Sequence, residues 1–287
     1  MKNLFKKLIL NSYGRYFNTL VLFSKRKAAI TTFQVFSKVR KGRVLPSQKK
    51  YLDAVKDTTL RIEDHDIQTY KWNGTKDRIL LVHGWESNTF RWRNLVEKLT
   101  AENYEVIAFD APGHGYSSGS NLHLPLYTKC IQKIIETYSP KHIIAHSFGG
   151  MAILFNDYLY QNDGIEKMVT IGSPSEFREL LDHYQKLIGF NNRVLKAFEN
   201  YVYERFQKNV DDFSSSKFVL SNQKEGLLLH DKLDVLAPFH ASERVHADWK
   251  NSKFIKTKGF GHSMHQSELN DQIIAFLKSE PIKTDFT

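Results

Sequence analysis

The stretch Ile143-Ile144-Ala145-His146-Ser147-Phe148-Gly149-Gly150 runs as an apolar strand, then a serine between small residues, then the helix-forming Met151 to Phe155. A sharp strand-to-helix turn forces such a serine into a strained backbone conformation and lifts its hydroxyl above the sheet. Small neighbours two positions to either side let the chains pass. A serine hydroxyl is a poor nucleophile by itself and needs a base, which in turn is oriented by a carboxylate. Two later strand ends offer those groups. Leu227-Leu228-Leu229 leads into His230-Asp231-Lys232-Leu233-Asp234, with Pro238 shortly after. Residues 254–257 lead into Lys258-Gly259-Phe260-Gly261-His262, with His265 three residues on. The residues alone leave Asp231 and Asp234, and His262 and His265, as competing candidates. His146 beside the serine reads as structural, like most of the chain's histidines.

Positioning these groups requires a sheet. Residues 58–62 and 67–72 flank Glu63 to Asp66 as a hairpin. Short apolar runs then recur at 78–82, 106–109, 142–145, 168–171, 227–229 and 254–257, with helix-period stretches such as 90–99 and 126–138 between them. Short apolar strands alternating with helices predict an α/β protein with a mostly parallel sheet covered on both faces. Residues 175–217 break the alternation: they are helical in pattern and contain no strand. An insertion at a strand end lies where α/β sheets bind ligands, so it reads as a short helical cap, with a pair of crossover helices as the plainer alternative.

Together these motifs resemble the α/β-hydrolase family, in particular small bacterial serine hydrolases with a short helical cap and a basic N-terminal extension. Ile143 to Gly150 resembles the family's nucleophile elbow, with Ala145 in place of the usual first glycine. In the family the acid precedes the histidine and stands a few residues before a proline, which selects Asp234. A histidine after a glycine turn beyond the last strand selects His262. Val82-His83-Gly84-Trp85 resembles the family's His-Gly loop, which implies an oxyanion hole formed by the backbone N–H groups of Trp85 and Phe148. Phe109-Asp110-Ala111-Pro112-Gly113-His114-Gly115 matches the family's scaffold turn. Gly113, Gly115 and Gly119 lack the G-x-G-x-x-G spacing of a dinucleotide site. The resemblance spans roughly residues 58–287 apart from the cap.

A serine nucleophile argues against the family's dehalogenases and epoxide hydrolases, which use an aspartate. The implied activity is hydrolysis of a carboxylic ester or thioester through Ser147, His262 and Asp234 and an acyl-enzyme, with no cofactor and no metal. The alternatives are an acyltransferase or carbon–carbon bond hydrolase with the same triad, or a membrane-associated homologue without catalysis. Trp85 and Phe148 suggest an apolar pocket entrance. The aromatics Phe177, Tyr184, Phe190, Phe198, Tyr201, Tyr203 and Phe206 suggest an apolar acyl or aryl group in a small-molecule substrate.

The chain has 287 residues, a net charge of +10 and a single cysteine. That size can bury a large core, and one cysteine excludes an intrachain disulfide framework. The charge is concentrated: residues 1–50 hold thirteen Lys and Arg, and the first acid is Asp53. The rest of the chain is mildly acidic. Residues 1–50 therefore form a basic arm ahead of a hydrolase domain at 51–287. In the arm, Leu4, Phe5, Leu8, Ile9, Tyr13, Tyr16, Phe17, Leu20 and Val21 fall on one side of a helix. It contains no run near the roughly 20 apolar residues of a membrane span. The arm reads as a helix docked on the body, as an interfacial helix on an anionic membrane, or as a cleaved targeting segment. Nucleic acid is not an expected partner, and the expected location is the cytoplasm, with peripheral contact at the inner membrane surface as the variant.

Overall fold

The computed structural model of the chain describes the backbone of residues 2–287 and the side chains from residue 9 onward. Helices α1 (Lys2–Phe23), α2 (Lys25–Ser37) and α3 (Pro46–Asp53) precede the hairpin strands β1 (Lys56–Ile62) and β2 (His65–Trp72). Then come β3 (Arg78–Val82), α4 (Arg93–Ala101), β4 (Glu105–Phe109), α5 (Leu124–Tyr138), β5 (His142–His146), α6 (Phe148–Tyr160) and β6 (Lys167–Ile171). The remaining elements are α7 (Phe177–Ile188), α8 (Asn192–Phe206), α9 (Ser215–Val219), β7 (Glu225–Asp231), α10 (His240–Asp248), β8 (Ser252–Thr257), α11 (Ser267–Leu277) and β9 (Asp285–Phe286). They fall into two compact units, one of residues 39–175 and 215–287, the other of residues 1–38 and 176–214.

The larger unit is a nine-stranded sheet in the order β1-β2-β4-β3-β5-β6-β7-β8-β9. β1 and β2 pair antiparallel, β2 joins β4 antiparallel, and every later pairing is parallel. The parallel strands are apolar on both faces because helices cover both. Ile79, Leu80, Leu81 and Val82 of β3 are all fully buried, as are Ile144 and Ala145 of β5. Parallel strands place their C-terminal ends along one edge. Four of those ends carry, in turn, His83, Ser147, Gly172 and Asp231.

Stretch 90–99, expected as one helix, instead divides into a 3-10 turn (Thr89–Trp92) and α4. The Asn88 carboxamide accepts from the Phe90 amide (3.0 Å), and the Asp110 carboxylate accepts from the Thr89 amide (2.9 Å). Those two anchors tighten the first turn. Residues 39–50, expected in the arm, belong to the sheet unit. There the Arg40 amide donates to Glu86, and the Arg43 guanidinium donates to the carbonyls of Ser117 and Gly119. The chain leaves the sheet unit after Ser175 and re-enters at Ser215, whose amide donates to the Ser175 carbonyl (2.8 Å). The helical excursion is therefore closed at its neck, three residues short of the expected boundary at 217.

The smaller unit contains α1, α2, α7 and α8, with a short 3-10 turn (Val210–Asp212) after α8. Its core is aromatic. The Phe33 ring lies 5.5 Å from that of Tyr201 and 6.0 Å from those of Phe198 and Phe206, while Phe36 meets Tyr184 edge-on at 4.7 Å. Phe17 packs on Phe190, and Asn18 bridges to the turn between α7 and α8, donating to the Gly189 carbonyl and accepting from the Asn191 amide. Phe198, Tyr201, Tyr184 and Phe190 thus pack against rings of the N-terminal helices.

The helical face expected of the arm is only partly buried. Phe17 and Val21 are enclosed, but Ile9, Tyr13 and Tyr16 are exposed. The apolar stripe is wider than the surface α1 packs against. Leu4, Phe5 and Leu8 lie outside the described side chains.

Candidate active site

Ser147 sits in the turn between β5 and α6 with φ 52° and ψ −125°. A side chain at positive φ costs on the order of 1–3 kcal/mol and persists only where the surroundings enforce it. Here the Ser147 amide donates to the Ile171 carbonyl at the end of β6 (2.8 Å), and α6 starts at once with Phe148. The fold therefore imposes the elbow that the sequence pattern predicts.

The Ser147 Oγ lies 3.0 Å from His262 Nε2, and His262 Nδ1 lies 2.7 Å from Asp234 Oδ2. A carboxylate oxygen accepts, so Nδ1 carries the hydrogen and Nε2 is left to accept from the serine hydroxyl. The other carboxylate oxygen, Oδ1, accepts from the amides of Leu236 (2.8 Å) and Ala237 (3.1 Å). Burial alone would raise the Asp234 pKa. The hydrogen bonds from His230, His262 and the two amides outweigh burial and hold the carboxyl well below its usual range. A serine, a neutral imidazole and a carboxylate in this chain can move a proton off the hydroxyl and stabilise the resulting imidazolium.

The two competing residues hold other positions. Asp231, at the end of β7, accepts from the Thr257 hydroxyl (2.7 Å) and the amides of Phe260 (2.7 Å), Leu233 (2.9 Å) and Gly259 (3.2 Å). It ties together the two loops that carry Asp234 and His262. His265 lies outside the hydrogen-bonded chain, and burial, then Arg91 and Arg93, push its pKa down to about 4.

His146 is enclosed, and its Nε2 donates to the His262 backbone carbonyl (2.9 Å), so it braces the histidine loop from β5 as a structural residue. The buried Arg91 reaches the same loop, donating to the Ser263 carbonyl (3.1 Å). Neither partnership has a sequence signature. Each joins residues more than a hundred positions apart.

The loop after β3 closes on the serine. A Cβ at Gly84 would lie 2.9 Å from both Ser147 Cβ and His146 Nδ1, so only glycine lets the chain pass there. Among the described residues, no hydrogen bond engages the amide N–H of Trp85 or Phe148. The Trp85 and Phe148 rings meet edge-on at 5.8 Å.

Two buried histidines hold this loop. His83 donates from Nδ1 to the Gly84 carbonyl and accepts at Nε2 from the Ala111 amide. His114 donates from Nδ1 to the Pro112 carbonyl and accepts from the Glu86 amide. Burial lowers their pKa values to about 4 and about 3. The Pro-Gly-His-Gly turn is thus clamped to the His-Gly loop by neutral imidazoles. Among the described residues no cluster of His, Cys, Asp or Glu is arranged to hold a metal ion.

This strand order, elbow and hydrogen-bonded chain define a class of protein, and comparison with known sequences agrees. The family described as alpha/beta hydrolase fold matches residues 77–239, more than half of the chain. The chain belongs to the α/β-hydrolase family. Among curated proteins it is 28% identical over 146 residues to a pimeloyl-[acyl-carrier protein] methyl ester esterase of Vibrio vulnificus, covering 50% of this chain and 54% of that one. The chain thus spans about half the length of that relative. It is 24% identical over 263 residues to the bifunctional esterase/perhydrolase DCH of Acinetobacter calcoaceticus, covering 73% of this chain and 95% of the relative. Among solved structures, the ferulic-acid-bound Est1E of Butyrivibrio proteoclasticus aligns with a TM-score of 0.63 at 15% identity, over 78% of this chain and 99% of that one.

Proposed function

We propose that the protein is a serine hydrolase of carboxylic esters or thioesters. Ser147 attacks the carbonyl, and His262 takes the hydroxyl proton and later returns it to the leaving group. Asp234 holds the imidazole in the Nδ1–H form and stabilises its cation. The tetrahedral oxyanion is received by the amides of Trp85 and Phe148, and water releases the acyl group. The observation that carries this reading is the Ser147–His262–Asp234 chain, with distances of 3.0 and 2.7 Å. The esterase relatives support an ester substrate, and the paired rings of Trp85 and Phe148 favour an apolar acyl group.

The test is hydrolysis of nitrophenyl esters with two to sixteen acyl carbons by wild type and Ser147→Ala. Turnover by wild type and none by the variant is expected. Turnover by neither would turn the reading toward acyl transfer or carbon–carbon cleavage at the same residues.

A second reading concerns the N-terminal helices, which we propose lie against an anionic membrane. Ile9, Tyr16 and Phe23 are exposed and spaced by seven, so they form one line along α1. Leu22 lies nearby, and Phe23 is 83% exposed. Residues 1–52 contain no acidic side chain, whereas Arg15, Lys25, Arg26 and Lys27 stand close to Tyr16 and Phe23 in sequence. No helix among the described residues is long and apolar enough to cross a membrane. An apolar line among basic groups suits an interfacial position, each Lys or Arg near anionic lipid contributing about 1 kcal/mol. Co-sedimentation with vesicles containing phosphatidylglycerol should be lost in Phe23→Glu. Absence of wild-type binding to these vesicles would remove the reading.

A further inference from the structure

Asp234 has a second histidine on its Oδ2 oxygen. His230, on β7, is fully enclosed. Its Nε2 lies 3.0 Å from the Ala237 carbonyl and 3.3 Å from Asp234 Oδ2. Both partners can only accept, so Nε2 carries a hydrogen and shares it between them. Its Nδ1 lies 2.6 Å from the Ser242 hydroxyl on α10, itself buried. The Phe239 ring closes the site at 5.8 Å. The Asp234 Oδ2 atom therefore lies between two imidazoles, each backed by a serine: His262 with Ser147, and His230 with Ser242.

The His230 ring bonds the Ala237 carbonyl and the Ser242 hydroxyl within the fold, and its remaining contact is with Asp234. The flanking β7 residues Leu227, Leu228 and Leu229 are apolar and buried, and an aliphatic side chain there would avoid desolvating two ring nitrogens. The orientation of Asp234 about Oδ1 is already set by two amides. What His230 adds is a donor to the oxygen that faces His262.

We infer that His230, held by Ser242, is a positioning residue: it fixes Asp234 Oδ2 and draws off part of its charge, and so sets how strongly Asp234 favours the cationic form of His262. This rests on the reading of Ser147, His262 and Asp234 as the reacting chain. Other charged or titratable groups near that chain include Asp231 at the β7 end, His146 at the β5 end, His265 beyond the histidine loop, and Arg91 on the 3-10 turn. None of these donates to Asp234. Its hydrogen bonds come from His230, His262 and the two amides.

The experiment measures kcat, KM and the pH profile of kcat/KM on a nitrophenyl ester with the full chain. The variants are His230→Leu, which removes the donor, His230→Gln, which keeps an N–H at comparable reach, and Ser242→Ala. In His230→Leu the Asp234 charge falls wholly on His262, so the acidic limb should move up by about half a pH unit. Looser positioning should lower kcat about tenfold with little change in KM. His230→Gln should return the limb to its wild-type place, and Ser242→Ala should move it upward by less. A role confined to packing would lower the unfolding temperature and leave the limb unmoved, which would overturn the proposal. If His230→Leu does not fold, the limb of Ser242→Ala decides in the same way. A Ser147→Ala control that keeps its turnover would overturn the underlying assignment. An inert control with an unmoved limb overturns the role of His230 alone.

Discussion

At the residue scale, the two aspartates at and just beyond the end of β7 differ in what surrounds them. Asp231 faces only a hydroxyl and backbone amides, whereas Asp234 faces two imidazoles. Replacing Asp234 with Asn should leave the fold intact and lower kcat by about three to four orders of magnitude, because the amide no longer enforces the Nδ1–H form. Replacing Asp231 with Asn should act mainly on stability, costing about 1–3 kcal/mol through weakened loop bonds. Kinetics and denaturant titration of the two variants would separate these roles, and a catalytic loss confined to Asp231→Asn would reverse the assignment. The elbow serine was legible as a local pattern, whereas the residues alone left Asp231 beside Asp234 and His265 beside His262. The family resemblance chose Asp234 and His262, and the fold brings these three side chains together. His230 was visible only as a neighbour of Asp231, since its partnership with Ser242 depends on how α10 folds back on β7. Gly172 escaped notice entirely. It sits at the end of β6 with φ +56°, where a Cβ would lie 3.2 Å from the His262 carbonyl and 3.4 Å from its Nδ1.

At the scale of elements, the central strands were readable because buried parallel strands are short unbroken apolar runs. Strand β9, only two residues long, offered no run to recognise. The grouping of α1 and α2 with α7 and α8 was not readable, since the Phe33 and Phe36 contacts reach across more than 140 positions. That aromatic core makes the four helices one structural element. Phe33→Ala should cost about 3–5 kcal/mol within this unit, seen as cleavage of the 176–214 segment by trypsin under conditions where wild type resists. Equal resistance of the two proteins would mean that the Phe33 contacts contribute little. At the histidine loop, Gly172→Ala should lower activity far more than it lowers stability. The added methyl presses on the pair His262 and Asp234, and the strained φ adds only about 1 kcal/mol.

For the whole molecule, the buried neutral histidines make stability depend on pH. In the unfolded chain His83 and His114 bind protons below about pH 6.5. In the folded protein they do not do so until about pH 4 and about pH 3. The unfolded state therefore gains protons first as pH falls. Stability should be fully present above pH 6.5 and decline below it, by up to about 1.4 kcal/mol per pH unit for each histidine. The depressed Asp234 acts in the same direction at lower pH, where the unfolded carboxyl is protonated before the folded one. Urea midpoints at pH 7, 6 and 5 should fall in that order, and a flat series would contradict the neutral clamp on the His-Gly loop.

The central claim is that Ser147 forms the covalent acyl intermediate, and the most direct measurement is mass spectrometry of the protein after rapid quenching from a nitrophenyl ester. A burst of nitrophenol matching the enzyme concentration is predicted, with one acyl group on the peptide containing Ser147 and none in Ser147→Ala. Turnover with no acylated Ser147 peptide, or turnover that survives Ser147→Ala, would contradict the account.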